Sequence, residues 1–253
     1  MEYCDNVHVS ISENQFLRVS QNSNKYKHLF FDLDKTIWDF DKNSVEALNE
    51  IFNTYQLFDL GISDKEKYIK IYKIINDNCW TLYRQKKITR DELRIVRFKK
   101  TLEYFKIKNN PLAEKLAESY FELSSNKTNL TPNCRDILEY LFPNYQMHII
   151  TNGFEEAQHK KIANSGLNKF FKNIFTSEKI GCAKPDPLIF KYALQATGAS
   201  FKESLMIGDD WNADVNGAKN VYMDQVYYHN DCLSNGQDPT YHIGDLTELK
   251  IFL

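Results

Sequence analysis

Short, largely apolar runs recur along the second half of this sequence, and helical patterns separate them. With one early run included, they occupy residues 28–31, 147–150, 173–176, 205–207 and 225–228. Runs this short, with apolar side chains on both faces, are typical of strands that helices cover on both sides. Strand–helix alternation favours right-handed βαβ units. The sequence therefore predicts an α/β fold with a Rossmann-like parallel sheet core.

A long segment with helical patterns only separates the first run from the second. The patterns cover residues 44–55, 65–84, 90–105 and 111–124. Thr89 and Glu92 have the spacing of a capping box at the start of the third pattern. We therefore predict an all-helical cap domain at 44–128, inserted into an α/β core made of 28–43 and 129–253. Residues 1–27 are polar and are expected to form a poorly ordered extension.

Composition excludes several classes of protein. The 253 residues carry 32 Lys plus Arg and 34 Asp plus Glu, a net charge of -2, which argues against binding a nucleic acid polymer through charge. No run approaches the roughly 20 apolar residues of a membrane helix, and the first residues do not resemble a secretory signal. The 5 Cys include no Cys-x-x-Cys pair, so neither a disulfide framework nor a cysteine zinc site is indicated. A cytoplasmic location is expected.

Two of the predicted strands end in groups that suit phosphate chemistry. The first runs directly into Asp32, Asp34 and Thr36, and the second ends in Thr151-Asn152-Gly153. Ligands of open α/β sheets bind beyond the carboxyl ends of the strands, where these residues lie. A threonine hydroxyl and the backbone N–H groups after it can hold phosphate oxygens. Taken singly, the acids also fit a helix cap and Asn-Gly also fits a plain turn.

Two further patterns add a cation and more acids. Lys184 precedes Pro185 at the start of a predicted helix, and Asp186-Pro187 opens that helix. Another strand ends in Gly208-Asp209-Asp210, with Asp214 one helical turn later. Carboxylate clusters suit Mg²⁺, although acids at this position can also cap a helix, and a single lysine can also be solvated.

Four such patterns in this order resemble the haloacid dehalogenase superfamily, in the subfamily whose helical cap follows the first pattern. The resemblance covers residues 28 to about 230. It implies that Asp32 is the nucleophile, that Asp34 is the general acid and base, and that Lys184 stabilises Asp32 and the phosphate. It further implies substrate binding by Thr151, Asn152 and Gly153. The implied cofactor is Mg²⁺, bound by Asp209, the Asp32 side chain and the Asp34 backbone carbonyl, with Asp210 and Asp214 as supporting acids.

Asp34 favours a phosphatase over a dehalogenase, because the dehalogenase branch lacks this second acid. The run at 37–41 and the Asp209–Asp214 neighbourhood are similar to the pyrimidine 5'-nucleotidase branch, so the resemblance implies a nucleoside 5'-monophosphate as substrate. A sugar-phosphate phosphatase or phosphomutase is the alternative, followed by a 2-haloacid dehalogenase or a non-catalytic binding protein. The expected partner is a small phosphorylated metabolite, and the expected state is a monomer or homodimer.

The predicted cap is rich in aromatic and basic side chains. The aromatic ones are Tyr72, Trp80, Tyr83, Phe98 and Tyr104, and the basic run is Arg84, Lys86, Lys87, Arg90, Arg94, Arg97, Lys99 and Lys100. The aromatic side chains can stack on a nucleobase, but such residues are more often helix core. The basic run can attract an anionic substrate, but a solvated helix face is the simpler interpretation.

Overall fold

The computed structural model describes residues 25–230, 233, 236 and 238–253. Its strands are β1 (His28–Phe31), β2 (Gln146–Thr151), β3 (Phe171–Thr176), β4 (Ser204–Gly208), β5 (Asp224–Tyr228) and β6 (Tyr241–Ile243). Its α-helices are α1 (Phe40–Thr54), α2 (Lys65–Arg84), α3 (Arg90–Tyr104), α4 (Asn110–Ser125), α5 (Cys134–Leu141), α6 (Glu155–Asn164), α7 (Ser177–Ile180), α8 (Pro187–Thr197) and α9 (Gly217–Lys219). A π-helix at Trp211–Asn216 and short 3-10 helices at Phe201–Glu203 and Leu246–Ile251 complete the order.

All six strands form one parallel sheet in the order β3-β2-β1-β4-β5-β6. Strands β1 and β4 are buried along their whole length, as consecutive apolar side chains require in a sheet covered on both faces. The predicted α/β fold with a parallel sheet core is confirmed. The sequence prediction did not include β6.

Strand β1 lies at the point where the strand order reverses. The chain continues to β2 and β3 on one side of β1, whereas β4, β5 and β6 extend the sheet on the other side. In the register, Phe31 pairs with Ile149 of β2 and with Ile207 of β4, so these strands end at the same edge. Open α/β sheets bind ligands at such a switch point. The residues that follow β1, β2 and β4 are therefore brought to one place.

Several helix boundaries follow from their capping residues. The capping box of Thr89 and Glu92 is formed at the start of α3, and Asp186 accepts a hydrogen bond from the N–H of Leu188 at the start of α8. Helix α8 ends at Gly198, whose φ of 69° is the left-handed conformation that favours glycine.

Thr131 does not cap the helix that follows it, although a threonine followed by proline is typical of a helix start. Helix α5 begins at Cys134 with Asn133 as the cap residue. The Thr131 hydroxyl instead donates a hydrogen bond to the carbonyl of Thr36, at 2.8 Å. A long-range contact to the segment after β1 therefore replaces the local cap.

The chain divides into two compact units. The core unit contains the sheet and consists, among the described residues, of 25–37, 131–151 and the segment from 169 onward. The helical unit consists of 38–130 and 152–168, so it includes α6 as well as α1 to α4. The predicted extension at 1–27 lies largely outside the described residues. Among those residues, none of the helices has the length and hydropathy needed to span a membrane.

The helical unit is built around its own apolar core. Tyr72 and Phe98 are buried there, with ring centroids 4.8 Å apart, so the helix-core interpretation is correct for both. Tyr104 is 51% exposed. Trp80 and Tyr83 are partly buried and pack on Phe154 of the same unit.

Candidate active site

Three carboxylates converge at the carboxyl edge of the sheet. Asp32 follows β1, Asp209 follows β4, and Asp214 lies within the π-helix after β4. One oxygen of each carboxylate lies within 4.8 Å of the others. The Asp32 N–H donates to the carbonyl of Ile207, at 2.9 Å, which continues the pairing of β1 with β4 and fixes the backbone at Asp32. The sheet register thus explains why acids far apart in the sequence meet.

Lys184 contacts residues from three neighbouring strands or the segments that follow them. Its Nζ lies 2.5 Å from Oδ1 of Asp32, 2.6 Å from Oδ1 of Asp214 and 2.7 Å from the carbonyl oxygen of Ile150 in β2. The lysine side chain is only 2% exposed. A buried ammonium with three such acceptors has all of its N–H groups satisfied and is held in one position.

Asp214 is oriented by the loop that precedes it. Its Oδ2 accepts a hydrogen bond from the N–H of Asp210, at 3.0 Å, and its Oδ1 faces Lys184. A Cβ at Gly208 would lie 2.2 Å from Asp214 Oδ2, so only glycine fits where β4 ends. Asp210 is the N-cap of the π-helix and accepts from the N–H groups of Asn212 and Ala213, both at 2.9 Å. The two acids therefore have different roles, which sequence spacing alone does not separate.

Asp209 is held by a threonine of the first loop. The Thr36 hydroxyl donates to Oδ1 of Asp209, at 3.1 Å, and Thr36 is fully buried. Lys35, just before it, has a φ of 69°, a left-handed conformation that costs a residue other than glycine roughly 1–2 kcal/mol. This turn directs the chain after Asp34 back toward the end of β4. Strained backbone at the end of a strand is typical of functional loops.

Burial dominates the electrostatics of the acids. Burial raises the pKa of Asp32 well above its usual value, opposed by Lys184 and reinforced by Asp214 and Asp209. Burial, with the charge of Asp214, raises the pKa of Asp209 to about 7, against the hydrogen bond from Thr36. Burial also raises the pKa of Asp214, opposed by Lys184. For Lys184, burial lowers the pKa, but the attraction of Asp214 and Asp32 outweighs it and the net shift is upward.

The donor set fits a hard divalent cation. Asp32 and Asp209 offer carboxylate oxygens that lie close together. Their pKa values are raised because nearby positive charges and hydrogen bonds do not fully offset the burial and mutual repulsion of the carboxylates. A divalent cation would supply the missing positive charge. Asp214 belongs to the same cluster, but both of its oxygens already accept hydrogen bonds, from Lys184 and Asp210. The Asp34 side chain is not a member of the cluster. From the sequence, the backbone carbonyl of Asp34, and not its side chain, is predicted to be a ligand of the cation. That assignment stays a prediction.

The predicted phosphate-binding residues begin at the end of β2. Thr151 is the last residue of β2, is 1% exposed and directly follows Ile150, whose carbonyl binds Lys184. Asn152 and Gly153 come next and are partly exposed, within the helical unit. A Cβ at Gly153 would lie 1.5 Å from Nε2 of the buried Gln158. The structure therefore brings Asp32, Lys184 and Asp209 together. Thr151 follows Ile150, whose backbone carbonyl binds Lys184.

Sequence reasoning missed three features of this site. It did not pair Asp214 with Lys184, did not identify the Ile150 carbonyl as a lysine acceptor, and assigned no steric role to Gly208. The spacing of Asp214 one turn after Asp210 was the available signal for the first. The glycine itself was the signal for the third, whereas the second depends on a backbone carbonyl that no residue type reveals.

Comparison with known proteins identifies the family of this chain. The profile of the haloacid dehalogenase-like hydrolase family matches residues 26–221. The chain is 32% identical over 228 residues to the pyrimidine 5'-nucleotidase PynA of Streptococcus pneumoniae, covering 88% of this chain and 93% of that protein. It is 28% identical over 232 residues to the pyrimidine 5'-nucleotidase YjjG of Escherichia coli, covering 90% and 98%.

A solved structure shows the same fold. The crystal structure of the HAD-hydrolase YfnB of Bacillus subtilis bound to magnesium has a TM-score of 0.78 and 31% identity to this chain, covering 89% of this chain and 97% of that one. The predicted superfamily and its fold are thereby confirmed. Because the family profile spans most of the sequence and PynA matches along nearly its whole length, this chain belongs to the haloacid dehalogenase-like hydrolases.

Proposed function

We propose that the protein is a Mg²⁺-dependent phosphomonoester hydrolase that acts through an aspartyl-phosphate on Asp32. The observation that carries the proposal is the buried ammonium of Lys184, 2.5 Å from the Asp32 carboxylate, beside the acid cluster at the switch point of the sheet. A carboxylate can attack an anionic phosphate only where cations neutralise the charge that builds up. Lys184 supplies one such cation, and carboxylates are known covalent nucleophiles in this chemistry.

The proposed reaction has two steps. In the first, an Asp32 carboxylate oxygen forms a bond to phosphorus while the bond to the ester oxygen breaks, and Asp34 gives its proton to the departing oxygen. In the second, Asp34 takes a proton from a water molecule whose oxygen bonds to phosphorus. The bond between phosphorus and Asp32 then breaks, which releases inorganic phosphate and restores the carboxylate.

Asp32, Asp209 and the backbone carbonyl of Asp34 would hold the magnesium ion, which when bound supplies charge neutralisation for the phosphoryl oxygens. The chain's own residues do the rest. Lys184 orients Asp32 and places its positive charge beside the carboxylate that receives the phosphoryl group, and Thr36 fixes Asp209. Thr151, with the backbone after it, would bind the phosphoryl oxygens.

We further propose a nucleoside 5'-monophosphate as the substrate. Two relatives that match along most of both chains, PynA and YjjG, are pyrimidine 5'-nucleotidases. The run Ile37-Trp38-Asp39-Phe40-Asp41 after the first loop is similar to that branch. In this structure Asp39 caps α1, accepting from the N–H of Lys42, so the run also fixes where the helical unit begins.

A screen of phosphorylated metabolites with and without Mg²⁺ tests both parts. It should include nucleoside monophosphates, sugar phosphates, phosphoglycolate and flavin mononucleotide. We expect Mg²⁺-dependent release of phosphate, fastest from pyrimidine nucleotides, and its loss in Asp32→Asn. Asp136→Asn, which changes an exposed acid of the core unit, is the matched control and should retain activity. Undiminished turnover by Asp32→Asn would refute the nucleophile, and a clear preference for sugar phosphates would refute the substrate class.

A further inference from the structure

Thr131 is the residue at which the chain re-enters the core unit after 38–130, and both of its donor groups bind the loop that follows β1. Its N–H donates to the carbonyl of Ile37, at 3.0 Å. Its hydroxyl donates to the carbonyl of Thr36, at 2.8 Å, and lies 3.3 Å from the carbonyl of Ile37. Thr131 is only 8% exposed, so these hydrogen bonds are largely shielded from water. Thr131 therefore fixes the backbone of two consecutive residues of that loop.

The loop that Thr131 holds contains a residue in an unfavourable conformation. Lys35 has a φ of 69°, a left-handed conformation that is costly for a residue other than glycine. The N–H of Ile37 closes the turn by donating to the carbonyl of Leu33, at 3.0 Å. A turn with such a residue persists only where its surroundings hold it. The hydrogen bonds from Thr131, accepted directly after Lys35, supply part of that support.

Thr36 connects this loop to the candidate cation site. It is fully buried, and its hydroxyl donates to Oδ1 of Asp209, at 3.1 Å. A hydrogen bond to a carboxylate that binds a metal ion fixes the direction of its oxygens and affects the affinity for the ion. Two hydroxyl groups therefore act in series inside the core unit, since that of Thr131 holds the Thr36 backbone and that of Thr36 holds Asp209.

The start of α5 shows that Thr131 serves this loop and not its own helix. Helix α5 begins at Cys134, and the cap residue Asn133 has a φ of 58°. The Asn133 amide donates to Asp245, at 2.9 Å. Polar side chains before a helix normally accept from its first N–H groups. Here the side chains of Thr131 and Asn133 both make long-range contacts instead.

We propose that Thr131 is a positioning residue for cation binding, because its hydroxyl holds Thr36 and Thr36 holds Asp209 in the orientation that binds Mg²⁺. This inference rests on the proposed function, which assigns Asp209 to the cation. Thr131 acts only through the loop after β1, so its hydroxyl should affect the affinity of the cation site. The alternative is that the hydroxyl stabilises the fold and has no effect on that affinity.

Cation titration of the protein gives the first test. Mn²⁺ prefers the same oxygen ligands as Mg²⁺, and the electron paramagnetic resonance signal of the free ion reports binding without any turnover. Thr131→Val keeps the branched shape and the backbone N–H but lacks the hydroxyl. It should weaken Mn²⁺ binding roughly three- to tenfold, the range that one hydrogen bond usually supplies. Thr131→Ser keeps the hydroxyl and should bind Mn²⁺ as wild type does.

Thr197 provides the matched control. Its hydroxyl donates to the carbonyl of Ala193, at 2.8 Å, and lies 3.1 Å from that of Leu194, within α8 of the core unit. Thr197→Val therefore removes hydrogen bonds of similar geometry outside the loop and the acid cluster. It should leave the Mn²⁺ affinity unchanged. Equal losses of affinity in Thr197→Val and Thr131→Val would contradict a positioning role.

A double-mutant cycle separates positioning from a general structural effect. Thr36→Val alone removes the hydroxyl that binds Asp209 and should weaken Mn²⁺ binding about tenfold or more. Without that hydroxyl Thr131 has nothing to position, so adding Thr131→Val should cause little further loss of affinity. Independent effects would instead multiply. Multiplied losses in the double variant would overturn the proposal.

The wild-type titration distinguishes failure of this inference from failure of the proposed function. Wild-type protein that binds no Mn²⁺ would refute the cation site and this inference with it. Thermal unfolding without the cation shows which variants are folded at the temperature of the titration. If Thr131→Val is not folded, Thr131→Ala removes the same hydroxyl and should show the same loss. Binding by the wild type together with equal affinity in the folded Thr131 variant would overturn this inference alone.

Discussion

The Nζ atom of Lys184 lies 2.5 Å from Asp32 and 2.6 Å from Asp214, so one buried ammonium joins the proposed nucleophile to an acid 182 positions further along the chain. The same lysine also binds the carbonyl of Ile150. Two buried carboxylates therefore depend on a single side chain for their charge balance, and the same side chain binds the backbone of β2. The charges of Lys184, Asp32 and Asp214 are therefore coupled. Loss of any one of them leaves a buried charge without its full compensation.

Replacing the lysine should disable both function and folding. In Lys184→Met, Asp32 and Asp214 remain buried without their cation, which typically destabilises a protein by roughly 3–5 kcal/mol. Phosphate release should fall by about 10²–10³ or more, because one charge-stabilising donor is lost. Thermal unfolding and a phosphate assay measure the two effects. Lys191→Met, at an exposed position on α8, serves as the control, and equal behaviour of the two variants would contradict this account.

Asp214 and Asp210 should differ when each is changed to asparagine. Asp214→Asn removes a charge that pairs directly with Lys184, so it should lower activity by about tenfold or more and also lower the unfolding temperature. Asp210→Asn retains a side-chain acceptor for the N–H groups of Asn212 and Ala213 and should cost well under 1 kcal/mol, because asparagine is as good an N-cap. Chemical denaturation and steady-state kinetics distinguish them. A larger effect of Asp210→Asn would contradict the assigned roles.

Gly208 should tolerate no side chain. The Cβ of Gly208→Ala would lie 2.2 Å from Asp214 Oδ2, and Asp214 cannot move without breaking its contacts with Lys184 and Asp210. We expect reduced activity together with a destabilisation of about 1–3 kcal/mol from overpacking. Gly181→Ala is a useful contrast, since space is open there and the cost arises only from its φ of 81°. Wild-type activity of Gly208→Ala would show that Asp214 is not fixed as described.

The protonation of Asp209 predicts how pH acts on cation binding. Its pKa rises from an ordinary value of 3.8 to about 7, so the folded, cation-free protein binds a proton that the unfolded chain has lost in this range. The contribution of this group to stability therefore decreases as pH rises from about 4 to about 7. A cation needs ionised carboxylates, and burial also raises the pKa of the second carboxylate ligand, Asp32, so Mg²⁺ affinity should rise with pH through this range.

Unfolding temperatures measured with and without Mg²⁺ between pH 5 and pH 8 test this expectation. The stabilisation by Mg²⁺ should grow with pH. Asp209→Asn should remove most of it at every pH. A stabilisation by Mg²⁺ that is constant across the range would contradict the proposed coupling between the proton and the cation.

The sequence predicts where the candidate catalytic residues lie relative to the strands better than it predicts which residues contact one another. Asp32 and Thr151 directly follow an apolar run, and Asp209 follows one after Gly208, so knowing that the strands are parallel is enough to place them at one edge. Local signals also predict α2 from 65 to 84 and the capping box of α3. These features depend on residues close together in the chain, where residue type and spacing carry the information.

The remaining features arise from contacts between distant segments. The pairing of Lys184 with Asp214 depends on the loop after β4, and the Thr131 hydroxyl binds Thr36 rather than its own helix. Arg97 is buried against the rings of Tyr72 and Tyr120, whereas its place in a basic run predicts a solvated face. Tertiary contacts override local preference in each case, and no pattern within one segment can reveal them.

The central claim is that Asp32 accepts the phosphoryl group, and rapid acid quench followed by peptide mass analysis tests it most directly. The protein would be mixed with uridine 5'-monophosphate and Mg²⁺, quenched within a turnover and digested. The account predicts one added HPO₃ on the peptide containing Asp32, absent in Asp32→Asn. An adduct on another residue, or phosphate release by Asp32→Asn at the wild-type rate, would contradict it.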